Sequence, residues 1–336
     1  MAEESPEAAR EGDEGEPEIR PRHWLEYLLA RAGAFALLCM DLQGAARAGR
    51  FLARLLGRVD ARHRRVAEDN LRNAYGADLR PGEAERIAMA VYDSLGTTAA
   101  EVLHGPRRIR GRSARRFFVP QGSEALRATV GDKPVIFLGA HFGNWEHMVT
   151  ALRLNGWDPV PVARPLDNPL LDRWIEAIRR SIGNQPVDKG GAMRVFLRAL
   201  RSGRCVGMLV DQNGGRHGRL STFFGRPCST LSAGVTLARR MKVPFVVTAL
   251  ERESPGFHRL VVGAPVYVED DDDAEQRAVD EMNRQLEAFV RRRPADWMWL
   301  HRRWRIKADW GFPVEPTERA WKNQGVRQAR GRMHRA

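Results

Sequence analysis

The sequence has little cysteine and lacks several well-known catalytic signatures. Only three of its 336 residues are cysteine, and they lie far apart at Cys39, Cys205 and Cys228. This spacing excludes a disulfide framework, gives no zinc-binding pattern and indicates a reducing compartment. The sequence contains no Gly-x-Ser-x-Gly elbow, no Walker loop and no Gly-x-Gly-x-x-Gly fingerprint. It therefore gives no support for a serine hydrolase or for nucleotide chemistry.

Lysine is also scarce, since 50 of the 55 basic residues are arginine, yet the formal net charge is +13. Residues 1–20 oppose this trend with eight acids and two arginines, which predicts a disordered acidic tail rather than a signal peptide. The remaining residues carry a surplus of +19, and residues 313–336 are predicted to form a basic tail. Such a surplus favours an anionic partner, which is a nucleic acid, a phospholipid surface or a phosphorylated substrate.

Long apolar runs are absent as well. The most apolar stretch, Trp24–Met40, has seventeen residues and is interrupted by Glu26 and Arg31. A spanning helix needs about 20 mostly apolar residues. Three interpretations stay open for this stretch: a helix across the membrane, a helix lying in its interface, and an ordinary buried helix.

The stretch that follows predicts an amphipathic helix with two neighbouring stripes. This pattern is typical of a helix in the headgroup layer of anionic lipid, although a solvated basic face over a protein core is the alternative. On the first interpretation, residues 21–66 form membrane-associated helices. The basic stripe contains Arg47, Arg50, Arg54 and Arg58, and the apolar stripe contains Phe51, Leu52, Leu55, Leu56 and Val59.

Short apolar runs alternate with helical patterns from about residue 134 onward. This alternation predicts an α/β fold with a mixed, largely parallel central sheet flanked by helices, in a domain that spans residues 67–312. The predicted strands are 134–138, 159–162, 205–210, 244–250 and 258–268, and the predicted helices are 144–154, 169–182, 191–200, 231–241 and 275–291.

The segment Gly139–His147 follows a buried strand and opens a helix, where α/β sheets place ligands. If His141 lies in the turn and Glu146 in the first helical turn, the carboxylate can fix the imidazole tautomer. His141 can then accept a proton from a substrate hydroxyl. A purely structural histidine is the alternative. The spacing His-x-x-x-x-Glu-His differs from the helical zinc signatures and has no third ligand nearby, so no metal site is predicted.

Four blocks in this order resemble the bacterial lipid A biosynthesis acyltransferases, the late lauroyl and myristoyl transferases of the wider lysophospholipid acyltransferase group. The first block fits the H-x4-D/E catalytic motif of that family. Asn70, Leu71 and Tyr75 are also similar to it. The blocks are HFGNWE at 141–146, VARPLDNP at 162–169, GMLVDQN at 207–213 with FFGRP at 223–227, and WMWLHRRW at 297–304.

The resemblance implies transfer of a fatty acyl chain from a thioester to a hydroxyl of a membrane glycolipid, with His141 as the base and Glu146 as its partner. The co-substrate is an acyl carrier protein or coenzyme A thioester, no other cofactor is implied, and the site is the cytoplasmic face of the inner membrane. The acceptor stays open among lipid A precursors, mannosylated phosphatidylinositol and other lipids. Backbone N–H groups near Gly143, or the Arg164 guanidinium, are candidate oxyanion donors.

Other members of these blocks are predicted to contact substrate, and Asn168 and Asp211 have a structural alternative. Asn144 lies inside the first block. Asn168 supports the loop of the second block or only makes a turn before a proline. Asp211 ends a buried strand and serves either the site or a structural pair, and Gln212 follows it. The tryptophans of the last block form either an interfacial belt or the edge of the core.

Two other functions compete with acyl transfer. The first is an inactive lipid-binding protein on the same fold, which the intact His141 and Glu146 pair argues against. The second is nucleic-acid binding, which the charge of +13 suggests but no recognisable motif supports. We therefore expect no nucleic-acid partner.

Overall fold

A computed structural model describes residues 18–163, 165–188 and 191–313. Residues 1–17 of the predicted acidic tail, Arg164, and the predicted basic tail beyond residue 313 lie outside these ranges. Ten α-helices and nine strands lie within them. The helices are α1 (Pro21–Leu38), α2 (Leu42–Val59), α3 (Ala61–Tyr75), α4 (Glu83–Arg108), α5 (Ser123–Val130), α6 (Met148–Leu154), α7 (Pro169–Ser181), α8 (Ala192–Arg201), α9 (Ala233–Met241) and α10 (Ala274–Arg292).

Seven of the strands form one sheet in the order β1-β9-β8-β2-β5-β3-β4, and β6 and β7 form a separate antiparallel hairpin. Five neighbouring strands of the sheet, from β8 to β4, are parallel, while β9 runs antiparallel to β8. The predicted α/β fold with a mixed, largely parallel sheet is confirmed. The strands are β1 (Phe118–Gln121), β2 (Ile136–Gly139), β3 (Pro159–Ala163), β4 (Val187–Asp188), β5 (Cys205–Leu209), β6 (Arg219–Phe223), β7 (Arg226–Thr230), β8 (Phe245–Ser254) and β9 (Phe257–Val266).

The core lies on both faces of this sheet because its central strands carry apolar residues throughout. Ile136, Val206 and Phe245 are fully buried on three neighbouring strands. Burying one such side chain stabilises the fold by about 1.5–3 kcal/mol. Helices on both faces complete the layers, and all four residues of β2 are buried just before the motif at 139–147.

The N-terminal helices are separated by capping carboxylates. The side chain of Asp41 accepts a hydrogen bond from the Gly44 N–H at the start of α2, and Asp60 ends α2 and caps α3. The predicted boundary between residues 66 and 67 falls inside α3. Helix α2 packs closely on α4, since a Cβ on Gly49 would lie 2.5 Å from the Gly96 carbonyl oxygen.

The apolar side chains of α1 and α2 point mainly outward. In α1 the structure buries only His23, Ala34 and Leu37, and the predicted apolar stripe of α2 is 41–79% exposed, from Leu55 to Val59. Across the described ranges, none of the helices combines the length and apolar character that crossing a bilayer requires. A spanning α1 is thus not shown.

Several elements were not predicted from the sequence. The basic segment Arg107–Arg116 contains the end of α4 and the start of a 3-10 turn at Arg112–Phe117. Strand β1, helix α5 and the β6–β7 hairpin were also missed. Strand β8 continues to Ser254, beyond the predicted end at residue 250.

Candidate active site

His141 lies directly after β2, at the carboxyl end of the parallel strands, where its side chain is 19% exposed. Strand β5 is the neighbour of β2, and the two pair in register from Ile136 with Val206 to Gly139 with Leu209. Asp211, two residues beyond β5, is therefore carried to His141. His141 Nδ1 lies 2.9 Å from Asp211 Oδ1, and the backbone N–H of His141 donates to Oδ2 at 3.0 Å.

The charge of Asp211 determines which tautomer His141 adopts. An ionised carboxylate only accepts hydrogen bonds, so Nδ1 carries the proton and Nε2 keeps a free lone pair. Burial acts to raise the pKa of Asp211, but the charge and hydrogen bonds of His141 and the Trp297 N–H outweigh it and hold that pKa well below its usual range. Burial likewise acts to lower the pKa of His141, and the Asp211 charge outweighs it, so the pKa of His141 is raised.

Glu146 is not the hydrogen-bond partner of His141 that the sequence analysis predicted. It lies in a short 3-10 turn at Trp145–His147 before α6, and its carboxylate accepts two bonds of 2.8 Å from Arg179 on α7. The side chains of this bidentate pair are mostly buried, at 20% exposure for Glu146 and 16% for Arg179. Glu146 remains close enough for its charge to favour the imidazolium of His141. The carboxylate that orients His141 is Asp211.

The segment Asp296–Met298 forms hydrogen bonds with the backbone of the motif at 139–147. Met298 N–H donates to the His141 carbonyl at 2.9 Å, and Gly143 N–H donates to the Asp296 carbonyl at 2.8 Å. The indole N–H of Trp297 donates to Asp211 Oδ2 at 2.8 Å. The sequence analysis did not predict this third hydrogen-bond donor to Asp211, although it singled out the tryptophan-rich block.

The tryptophans of that block form a core, which decides between the two alternatives left open by the sequence. Trp297, Trp299 and Trp304 are at most 1% exposed and pack against one another. Asn70, in α3, donates from its buried amide to the Trp299 and His301 carbonyls at 2.7 Å. The block is thereby tied to the N-terminal helices.

Gly143 and Asn144 make structural contacts in place of the substrate contacts predicted for them. Gly143 has φ +58°, and a Cβ there would lie 1.9 Å from the Leu250 carbonyl oxygen, so only glycine fits. Its N–H is engaged by Asp296, so it is not a free oxyanion donor. Asn144 is fully buried, and its side chain donates to Glu101 at 2.9 Å.

Behind Asn144 lies a buried ionic cluster. Glu101 on α4 accepts bonds of 2.9–3.1 Å from the Arg252 guanidinium, and His258 Nε2 lies 3.3 Å from it. Burial acts to raise the pKa of Glu101, but its interactions with His258 and Arg252 hold that pKa well below its usual range. The cluster contacts the motif through the hydrogen bond from Asn144 to Glu101.

Residues 16–306 match the family of bacterial lipid A biosynthesis acyltransferases. The chain belongs to this family. It is 25% identical over 304 residues to the lipid A biosynthesis lauroyltransferase of Escherichia coli (strain K12), which covers 88% of this chain and 95% of that protein. It is also 25% identical to a lipid A biosynthesis acyltransferase of Haemophilus influenzae over 87% of this chain and 93% of that one. The palmitoleoyltransferase of E. coli matches 57% of this chain at 25% identity.

The protein is therefore an acyltransferase. Three of its predicted site residues have not yet been located in the fold. Asn168 caps α7 and donates to the His23 carbonyl and to Glu26 of α1, so its side chain has structural contacts, and its substrate contact stays a prediction. Gln212 is exposed beside Asp211, so its predicted substrate contact is sterically open. Arg164 lies outside the described residues.

In this acyltransferase an imidazole is paired with a buried carboxylate at the carboxyl end of the sheet. A buried carboxylate holds Nδ1, and the other imidazole nitrogen is left to accept a proton. The half-buried Trp145 lies beside the imidazole, with ring centroids 5.4 Å apart, and forms a wall on one side. Such a pair activates an alcohol for attack on an activated acyl group.

Proposed function

We propose that this acyltransferase moves a fatty acyl chain from a thioester of acyl carrier protein or coenzyme A to a hydroxyl of a lipid A precursor. The observation that supports a base mechanism most directly is the 2.9 Å contact between His141 Nδ1 and the buried Asp211. The names of the relatives, which are lipid A lauroyl and palmitoleoyl transferases, support the glycolipid acceptor.

In the proposed step, Nε2 of His141 accepts the proton of the acceptor hydroxyl while that oxygen attacks the thioester carbonyl. Asp211 stabilises the imidazolium that forms. The tetrahedral intermediate then collapses, the C–S bond breaks, and the imidazolium returns its proton to the leaving thiolate. The products are an ester and a free thiol, and no other cofactor takes part. Arg164 stays a predicted oxyanion donor.

The outer face of α1 and α2 is proposed to bind the cytoplasmic face of the inner membrane. Leu28 and Phe35 on α1 and Phe51 on α2 are 58%, 71% and 60% exposed, and Arg47 and Arg58 on α2 are exposed as well. Apolar side chains beside arginines suit an anionic headgroup layer. Such docking would let a lipid acceptor reach the protein without leaving its bilayer.

Cosedimentation with vesicles tests this docking. Phe51→Asp should release the protein from vesicles of anionic lipid because a charge then replaces buried apolar area. Val119→Asp is the matched control, since Val119 is 58% exposed in β1, away from α1 and α2. Equal binding by both variants and the wild type would contradict the docking proposal.

An acylation assay tests the transferase chemistry. Wild type, His141→Ala and Asp211→Asn are incubated with vesicles that contain a lipid A precursor and with each radiolabelled thioester in turn. Both variants should lose at least about 10²-fold in rate, which is the scale of general-base catalysis. His217→Ala is the control, because His217 is an exposed histidine in the 3-10 turn at Gly215–His217.

The outcome also separates the two functions on this fold. Product formed by His141→Ala at the wild-type rate would contradict the base mechanism. Folded, vesicle-bound wild type that makes no product with either thioester and either lipid A precursor or total lipid extract would favour an inactive lipid-binding protein.

A further inference from the structure

Three fully buried tryptophans lie within eight residues, and each donates its indole N–H to a different residue. Two of these acceptors are main-chain carbonyls, and only the third is a charged group. The bonds run from Trp297 to Asp211 Oδ2 at 2.8 Å, from Trp299 to the Pro294 carbonyl at 2.7 Å, and from Trp304 to the Phe223 carbonyl at 2.9 Å.

The bond from Trp297 completes the set of donors around Asp211. Oδ1 faces the His141 imidazole, while Oδ2 accepts both the His141 backbone N–H and the Trp297 indole N–H. With Oδ2 held from two sides, rotation of the carboxylate would break two hydrogen bonds. Oδ1 is thus kept in line with Nδ1.

The backbone of the same segment holds His141 as well. Phe142 and Trp297 form an isolated antiparallel bridge, and the next residue, Met298, donates to the His141 carbonyl. The segment that supplies the indole therefore also fixes the turn that carries the imidazole. A displacement of Trp297 would alter both partners of the pair.

We propose that Trp297 is a positioning residue for acyl transfer, which orients Asp211 so that His141 is correctly aimed when the acceptor hydroxyl arrives. This inference rests on the function proposed above. It assigns to one indole N–H a role that its two neighbours, equally buried in the same cluster, do not have.

The expected effect on pH dependence follows from the groups around the pair. Besides Asp211, the charge of Glu146 favours protonated His141, and His301 lies near both members, with Arg303 in turn beside His301. Burial lowers the pKa of His301 to about 4, so it is neutral at pH 7 and adds no charge beside His141 and Asp211. Loss of the indole N–H makes Asp211 a stronger base, and the imidazolium of His141 is then favoured.

The experiment compares Trp297→Phe with Trp299→Phe and Trp304→Phe. Each change removes the same indole from the same core, so the loss of packing is matched. In a plot of kcat against pH, only Trp297→Phe should move the acidic side of the curve to higher pH, by about half a unit. The same variant should lower kcat about tenfold at unchanged KM. In an Asp211→Asn background, Trp297→Phe should cost no more than Trp299→Phe, because the acceptor charge is gone.

An acidic side of the curve that stays in place, moves to lower pH, or moves equally in all three variants would overturn the inference. If Trp297→Phe does not fold, benzothienylalanine at position 297 keeps the size of the indole and removes only its N–H, and the same shift is expected. Failure of the proposed function is distinguishable, because wild type would then form no product or would not depend on His141.

Discussion

The buried carboxylate Glu101 permits a sharp prediction about stability. Its side chain, 1% exposed, accepts bonds from Arg252, from Asn144 Nδ2 at 2.9 Å and from the Gly256 N–H at 2.9 Å. Glu101→Gln keeps the size of the side chain, removes its charge and turns one acceptor oxygen into a donor. That donor faces groups that themselves donate.

The cost follows from what the change leaves behind. Arg252 stays buried, at 8% exposure, without its counter-charge. Breaking a buried ion pair in this way costs about 3–5 kcal/mol. A typical domain has a free energy of unfolding of about 5–15 kcal/mol, so the loss is a large share of the total. The midpoint of thermal unfolding should fall on the order of 5–15 °C.

Denaturant and thermal unfolding in one buffer and one detergent measure this effect. Glu85→Gln is the matched control, since Glu85 lies on the same helix and pairs with Arg72, but its side chain is 51% exposed. An exposed pair contributes about 0–1 kcal/mol. A Glu101→Gln variant that loses no more stability than Glu85→Gln would refute the reasoning.

The ion pair of Glu101 and Arg252 also makes the free energy of unfolding depend on pH, in a direction that can be predicted. The pKa of Glu101 is lower in the folded protein than in the unfolded chain, where a glutamate titrates near about 4.3. Its stabilising contribution is therefore complete above that pH and is lost as the pH falls toward the folded pKa. Below about pH 4.3, the free energy of unfolding should fall more steeply for wild type than for Glu101→Gln. Parallel curves would contradict the assignment.

Two further predictions concern the motif. Gly143→Ala should lower the free energy of unfolding on the order of 3 kcal/mol, because the left-handed backbone and a main-chain oxygen of β8 both exclude a Cβ. Gly215→Ala, at φ +64° with open space around it, should cost only about 1 kcal/mol. The losses of acyl-transfer activity caused by Glu146→Gln and Arg179→Met should be non-additive by about 0.5–3 kcal/mol, with Arg180→Met as the control. Additive losses would show that the two residues act independently.

The central sheet was accessible from the sequence because its strands are short apolar runs between helical patterns. The β6–β7 hairpin was not, since several of its contacts to α10 are hydrogen bonds between polar side chains. Ser221 donates to Asp280 at 2.5 Å, and Asn283 donates to Ser221 and Thr230 at 2.9 and 3.0 Å. Alternation of apolar and polar residues, the usual signal of a half-buried strand, is weak where the covered face is itself polar.

The position of His141 was predictable because a buried strand, a small-residue turn and a helix follow one another locally. Its partner was not, since Asp211 lies 70 residues away and reaches His141 only through the pairing of β2 with β5. The sequence showed Asp211 at the end of a buried strand, but not which strand is adjacent. Glu146, the nearest carboxylate in sequence, was therefore assigned a contact that in the structure belongs to Asp211.

The motif contains a second histidine, and its environment differs from that of His141. His147 is buried beside Asn144 and Phe118, and burial lowers its pKa to about 4. It is neutral at pH 7 and has no route to a substrate. His141, six residues earlier, is partly exposed and has its pKa raised by a carboxylate. Of these two histidines, His141 has both a carboxylate in hydrogen-bond contact and solvent access, whereas His147 is buried and its ring contacts the Asn144 amide.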